Sequence, residues 1–190
     1  MKKAQPEKYY EACITYNIIM ELKRIGKKVY PYSISQREEK EEGYDFAYRF
    51  SGELFLIQYK SPNIFKEIKD GEKIYRWEID REQLDILNKH NGDIPTYYAL
   101  PAFDNILDWY SGIQKTYFID SKRLANLFEK QTETSIIRSD CKALKTWDFL
   151  MEKFRKGTYN YSIHVFTEEI ELFEKINGIT EGLWLYCLEK

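Results

Sequence analysis

Within GYDFAYRFSGELFLIQYK, residues 43 to 60, an acid enters an apolar strand pair and an amide and an amine leave it: Asp45, Gln58 and Lys60. Buried strands ordinarily avoid all three side chains. A carboxylate and an amide oxygen side by side suit a hard cation such as Mg²⁺, which keeps most of its waters and takes only one or two carboxylates from a protein. A lysine two residues beyond the amide shares its strand face, roughly 7 Å along, near enough to meet a water or a phosphate oxygen. The chemistry implied is hydrolysis at phosphorus. The cation would acidify water and neutralise phosphoryl charge, while Lys60 orients the nucleophile or stabilises the transition state.

Two elements must position these groups. The segments 44 to 50 and 54 to 60 read as a β-hairpin around Ser51-Gly52, a pair suited to a tight turn. A two-residue loop makes Phe50 face Glu53 and brings Asp45 opposite Gln58, with Cα atoms roughly 4.5 to 5.5 Å apart. A three-residue loop would pair Asp45 with Tyr59 instead. Alternation places Asp45 with Ala47, and Gln58 and Lys60 with Leu54 and Leu56; Tyr44, Phe46, Tyr48, Phe50, Phe55, Ile57 and Tyr59 take the other face. The second element is a helix from Glu7 to Ile25, whose apolar positions Tyr10, Ile14, Ile18, Leu22 and Ile25 recur at helical spacing before Gly26 stops it. Glu11 continues that stripe one turn earlier and is the candidate second acid, with Glu7 in reserve.

Each of these residues also has a plainer reading. Asp45 follows Gly43, where aspartate commonly serves a turn. Gln58 and Lys60 mark where a strand emerges before Ser61-Pro62, and a strand-end lysine protects an edge. Glu11 suits the start of any helix. His90 and His164 stand alone and make neither a triad nor a zinc site. No glycine-rich phosphate loop is present, which argues against an NTPase.

The 190 residues are enough for one substantial core, and 1–190 is read as a single domain. With 43% hydrophobic and 32% charged residues the chain has the composition of a folded protein, not a disordered one. A net charge of -2 gives no global field for a polyanion, so any nucleic-acid partner must be held by a metal or a local patch. Lys66, Lys69, Lys73 and Arg76 are candidates for tracking a phosphate backbone, with Tyr75 and Trp77 for stacking; the plain alternative is a solvated loop carrying its own acids. Cys13, Cys141 and Cys187 are odd in number and widely spaced, as expected of reduced thiols in the cytoplasm. There is neither a leader-like apolar block nor a run of 18 apolar residues, so neither secretion nor membrane insertion is expected.

Along the remaining chain, KKVYPYSIS (27 to 35) reads as an edge strand because of Pro31, QREEKEEG as a solvated loop and NIFKEIKDGEKIYRW as a mobile loop. Asp80 and Gln83 form a capping-box signal for a helix burying Leu84 and Leu87 and ending before Gly92. PTYYALPAF (95 to 103) and KTYFIDS (115 to 121) are strands, the second running into a helix at Ser121. A helix is expected around 141 to 156, a strand near 160 to 166, a helix opened by Thr167 and a last strand GLWLYCL. This order predicts an α/β layered fold: a central mixed sheet flanked by helices, with an αβββαβ core and a C-terminal α+β extension, residues 121–190, of unknown role.

In these positions the chain resembles the PD-(D/E)xK nuclease superfamily: a helical glutamate (Glu11), an aspartate opening the second strand (GYD, Asp45), and an acid or amide, any residue and a lysine closing the third (QYK, Gln58 to Lys60). Glutamine in place of the second acid is similar to the variant of Mrr-like restriction endonucleases, although Tyr44 stands where a proline precedes the aspartate. The resemblance spans roughly residues 7–120. It implies a restriction-endonuclease-like fold and Mg²⁺-dependent cleavage of DNA, with Mn²⁺ as a substitute, leaving 5′-phosphate and 3′-hydroxyl ends. Asp45, Gln58 and Glu11 would hold the metal and Lys60 would be the catalytic lysine, in a setting of restriction, defence or repair. The rival is a module of the same fold, catalytically inactive, that binds nucleic acid or a protein partner in a larger complex. A homodimer fits either reading, and a partner could supply the missing basic track.

Overall fold

The computed structural model describes residues 5–50, 53–63, 68–69, 72–90, 94–129 and 135–156. The expected strand near 160 to 166, the helix at Thr167 and the strand GLWLYCL lie outside the described residues.

The periodic stripe at the start of the chain becomes helix α1 (Glu7–Arg24), which buries Tyr10, Ile14, Ile18 and Leu22. Gly26 ends it with φ +78° and an N–H donated to the Lys23 carbonyl at 2.9 Å, the left-handed stop that a residue without Cβ provides. Strand β1 (Val29–Ser33) follows, then helix α2 (Gln36–Glu42) and strands β2 (Phe46–Phe50) and β3 (Glu53–Tyr59). Beyond them come β4 (Ile68–Lys69), β5 (Glu72–Lys73), β6 (Arg76–Glu78), α3 (Arg81–His90), β7 (Thr96–Pro101), a 3₁₀ helix (Ile106–Lys115), β8 (Thr116–Asp120), α4 (Ser121–Glu129), β9 (Ile136–Arg138) and α5 (Trp147–Lys156).

Five strands form one mixed sheet in the order β1-β2-β3-β7-β8. Only β3 and β7 are parallel; the other neighbours are antiparallel. β3, apolar on both faces, is therefore the central strand, and Pro31 sits on the edge strand where its missing N–H costs no ladder bond. One face packs Tyr48, Phe55, Ile57 and Tyr59 against the apolar side of α1 and the side chains of Trp147 and Leu150. The other packs Ala47, Leu54, Leu56, Tyr98 and Leu100 under Leu84 and Leu87 of α3 and Leu124 of α4. Burying aliphatic side chains of this size contributes about 1.5 to 3 kcal/mol each. The fold is thus a layered α/β arrangement with helices on both faces.

Several expectations are corrected. QREEKEEG is not a loop: Gln36–Glu42 is helical, and its Glu39 carboxylate accepts a hydrogen bond from Gln83 Nε2 of α3 at 3.2 Å. Seven polar but helix-compatible residues fold because a neighbour holds them. The lysine-rich stretch after β3 is likewise no featureless loop, since β4 pairs with β5 and β6 pairs with β9 in two small antiparallel sheets. Trp77 is not available for stacking on a partner. It is fully buried, and its Nε1 donates to the Pro101 carbonyl at 3.0 Å. The helix expected from 141 begins only at Trp147, after turns in which Cys141 and Leu144 donate to Arg138 and Cys141 carbonyls.

The hairpin register agrees with a two-residue connection, because Phe50 faces Glu53 and Phe46 faces Ile57. It breaks one residue earlier. Asp45 donates its N–H to the Ile57 carbonyl at 3.0 Å, although Ile57 already faces Phe46, so two residues oppose one in a β-bulge. Alternation fails there: Tyr44 packs with Ala47 and Leu56, on the face opposite Tyr48. The expectation that Tyr44 shares the Phe46–Tyr48 face is wrong for this reason, and Asp45 is not squarely opposite Gln58.

Gly43 leads into the bulge with φ +79°, and a Cβ there would lie 2.9 Å from the Leu87 nitrogen and 3.0 Å from the Gln83 carbonyl oxygen. Both contacts are backbone of α3 and cannot yield cheaply. Gly43→Ala is expected to destabilise the fold by about 2 kcal/mol or more, from left-handed strain plus overlap. Gly26→Ala, with nothing within 4 Å of its Cβ, should cost only about 1 kcal/mol. Urea unfolding of the two variants measures the contrast.

Among the described residues no helix is long and apolar enough to cross a membrane.

Candidate active site

The bulge carries Asp45 into the ladder itself. Its Oδ2 accepts the Tyr59 N–H at 2.6 Å, a main-chain donor that would otherwise seek a carbonyl of β2. The side chain is 4% exposed, and Oδ1 has no hydrogen-bond partner. Burial pushes its pKa up to about 8; the Tyr59 N–H opposes the shift, and repulsion from Glu39, Glu11 and Glu7 adds to it. Gln58, on the same end of β3, is fully buried; Nε2 donates to the Tyr59 carbonyl at 3.2 Å, and Oε1 is also without a partner. Asp45 Oδ1 and Gln58 Oε1 are thus two buried oxygens without a hydrogen-bond partner. A buried acceptor left unpaired costs about 1 to 3 kcal/mol.

The N-terminus of α1 is tied to the same place. Glu7 Oε2 accepts the Ser61 N–H at 3.1 Å, joining the first turn of the helix to the chain leaving β3. One turn on, Glu11 is 4% exposed and takes a hydrogen bond from Lys8 Nζ at 2.7 Å. Burial raises its carboxyl pKa, Lys8 lowers it, and Glu7 and Glu39 raise it further. Glu11 thus acts on Asp45, with its own charge already countered by Lys8. Lys60 is half-buried, donates its N–H to the Ala99 carbonyl at 3.2 Å and so still runs in the ladder with β7. Alternation along β3 gives it the Gln58 face.

The sequence reading missed two participants. Glu39 lies on a segment taken for a loop, yet it is one of the acids that act on Asp45; no residue pattern in a run of glutamates singles it out. Tyr98 of β7 is the ladder partner of Gln58, and its fully buried hydroxyl has no partner either. Recognising β3 and β7 as parallel neighbours would have pointed to it. Tyr98→Phe removes an unpaired buried hydroxyl and is expected to raise stability by about 1 kcal/mol, readable in a thermal melt.

The basic stretch contributes less. Lys73 is committed to Asp104 at 2.7 Å and lies over the Tyr75 ring at 4.9 Å. Arg76 is half-buried on β6, opposite Arg138. Lys66 lies outside the described residues, and only the backbone of Lys69 is described.

At the end of β3, then, Glu7 holds the Ser61 N–H, Lys8 holds Glu11, and Glu39, Glu11 and Glu7 act electrostatically on the buried Asp45. Among the described residues no three His, Cys, Asp and Glu side chains are grouped to hold a metal ion. A cation here would need the Gln58 oxygen and water besides carboxylate, which is the manner of Mg²⁺. Neither the protein-family models nor the curated proteins compared with this chain give a match.

Proposed function

We propose that the chain is a metal-dependent deoxyribonuclease of the PD-(D/E)xK type, with a restriction-endonuclease-like core and a role in restriction, defence or repair. The observation that carries this reading is the two buried oxygens without a hydrogen-bond partner, Asp45 Oδ1 and Gln58 Oε1, with acids of α1 and α2 acting on Asp45. Such a place fits a cation better than any neutral ligand. Asp45 and Gln58 would hold Mg²⁺, or Mn²⁺ in its stead, and Glu11 would support it directly or through water. When bound, the metal supplies a more acidic water and a counter-charge for phosphoryl oxygens. The protein's own groups do the rest. Tyr59 N–H fixes the Asp45 carboxylate, Lys8 keeps Glu11 in place, and the Lys60 ammonium meets a phosphate oxygen or orients the attacking water.

Gln58 favours a second reading as well. It brings no charge, so the site holds metal less tightly than a pair of carboxylates, and a binding-only module that retains the fold would keep the same residues. DNA cleavage separates the two. Incubation with double- and single-stranded DNA and Mg²⁺ or Mn²⁺ should give products with 5′-phosphate and 3′-hydroxyl ends, abolished by EDTA. DNA binding without cleavage under any divalent metal, undiminished in Asp45→Ala, would establish the binding module instead.

A further inference from the structure

A second cavity lies where the β6–β9 ribbon meets α4. Leu127 and Phe128 of α4 and Ile136 and Ile137 of β9 wall a cavity of about 440 Å³, with Arg76 and Arg138 also lining it. That volume and that apolar lining are typical of a small-molecule site. The charges are what make it unusual. Arg76 and Arg138 are ladder partners on adjacent antiparallel strands, a placement in which like charges repel and destabilise the pair. Asp140, also on the lining, binds Arg138 with contacts of 3.2 and 3.4 Å. The lining thus carries two guanidinium groups and one carboxylate. Arg81 lies over the Phe128 ring at 5.5 Å.

We propose that this cavity binds a small amphipathic anion, an apolar body against Phe128 and the isoleucines and an anionic head between Arg76 and Arg138. Paired guanidinium forks are suited to carboxylate or phosphate oxygens. The apolar walls select against a bare inorganic anion, which gains nothing from them. This assignment does not rest on the metal site, because none of its residues is Asp45, Gln58, Lys60 or Glu11.

The test uses the full chain and 8-anilinonaphthalene-1-sulfonate, an apolar body bearing one sulfonate, with fluorescence as the readout. Wild type is expected to bind it saturably, and Arg76→Gln and Arg138→Gln are each expected to weaken binding at least tenfold. Both positions are partly exposed, and circular dichroism checks that the variants fold. Adenosine monophosphate and decanoate are then used as competitors. Displacement by the first assigns a phosphate head and by the second a carboxylate head, and inorganic phosphate alone should displace far less. Equal affinity in wild type and both folded variants, or displacement by neither competitor, would overturn the proposal. As a second readout, the effective competitor should raise the melting temperature of wild type and not of Arg138→Gln, and an equal rise in both proteins would overturn it too.

Discussion

Asp45→Asn is expected to melt higher than wild type at pH 8.5 and nearly with it at pH 4.5. The unfolded chain ionises this carboxyl near the ordinary value of 3.8, whereas burial holds it protonated in the fold until about 8. Between those values the folded state binds the extra proton, so wild-type stability falls as pH rises through the window and levels off above it. Asparagine has the shape of the protonated acid and no charge to lose. It can still accept the Tyr59 N–H. The gain above pH 8 is on the order of a few kcal/mol, or roughly 5 to 10 °C in melting temperature for a chain of this size. Mn²⁺ should raise the wild-type melt at pH 8.5 and leave the variant unmoved, because ligands stabilise only the state that binds them. A variant gaining stability while losing metal-dependent activity marks a residue kept for function at a cost to the fold.

Lys60→Ala carries the second large effect. Lys60 is half-buried at the end of β3, and among the described residues no carboxylate forms an ion pair with it, so its removal should change stability by no more than about 0.5 kcal/mol. Its loss should lower the rate of DNA hydrolysis by roughly 10²- to 10⁴-fold, the range for a group positioned on the transferred proton or the developing charge. Steady-state cleavage should show the loss in kcat with little change in DNA affinity. A loss confined to affinity would make Lys60 a phosphate anchor only.

Much of the fold around the candidate site is legible in the residues, for reasons that also explain what is not. Helix α1 follows from one uninterrupted apolar stripe, and the hairpin register follows from a two-residue connection between strands rich in aromatic and aliphatic side chains. The position of β3 at the sheet centre follows from its apolar character on both faces. The bulge at Asp45 does not follow from any of these. It adds one residue to one strand, reverses the face of Tyr44 and turns an expected cross-strand carboxylate–amide pair into a carboxylate set in the ladder beside Tyr59. Pattern reading assumes that alternation continues, and a bulge is the place where it stops. Helix α2 and the β6–β9 pair are hidden for another reason: both depend on partners distant in the chain, Gln83 for Glu39 and Ile137 for Trp77. Trp77 shows the consequence, since an aromatic among lysines suggests a stacking surface and proves to be core.

The claim on which the functional reading rests is that the end of β3 holds a divalent cation through Asp45. Calorimetric titration of Mn²⁺ into wild type and Asp45→Asn at pH 8 tests it most directly, at a pH where the carboxyl can give up its proton to the metal. The account predicts one Mn²⁺ per chain in wild type, with proton release, and no measurable binding in the variant. Binding of equal stoichiometry and affinity in both proteins would contradict it.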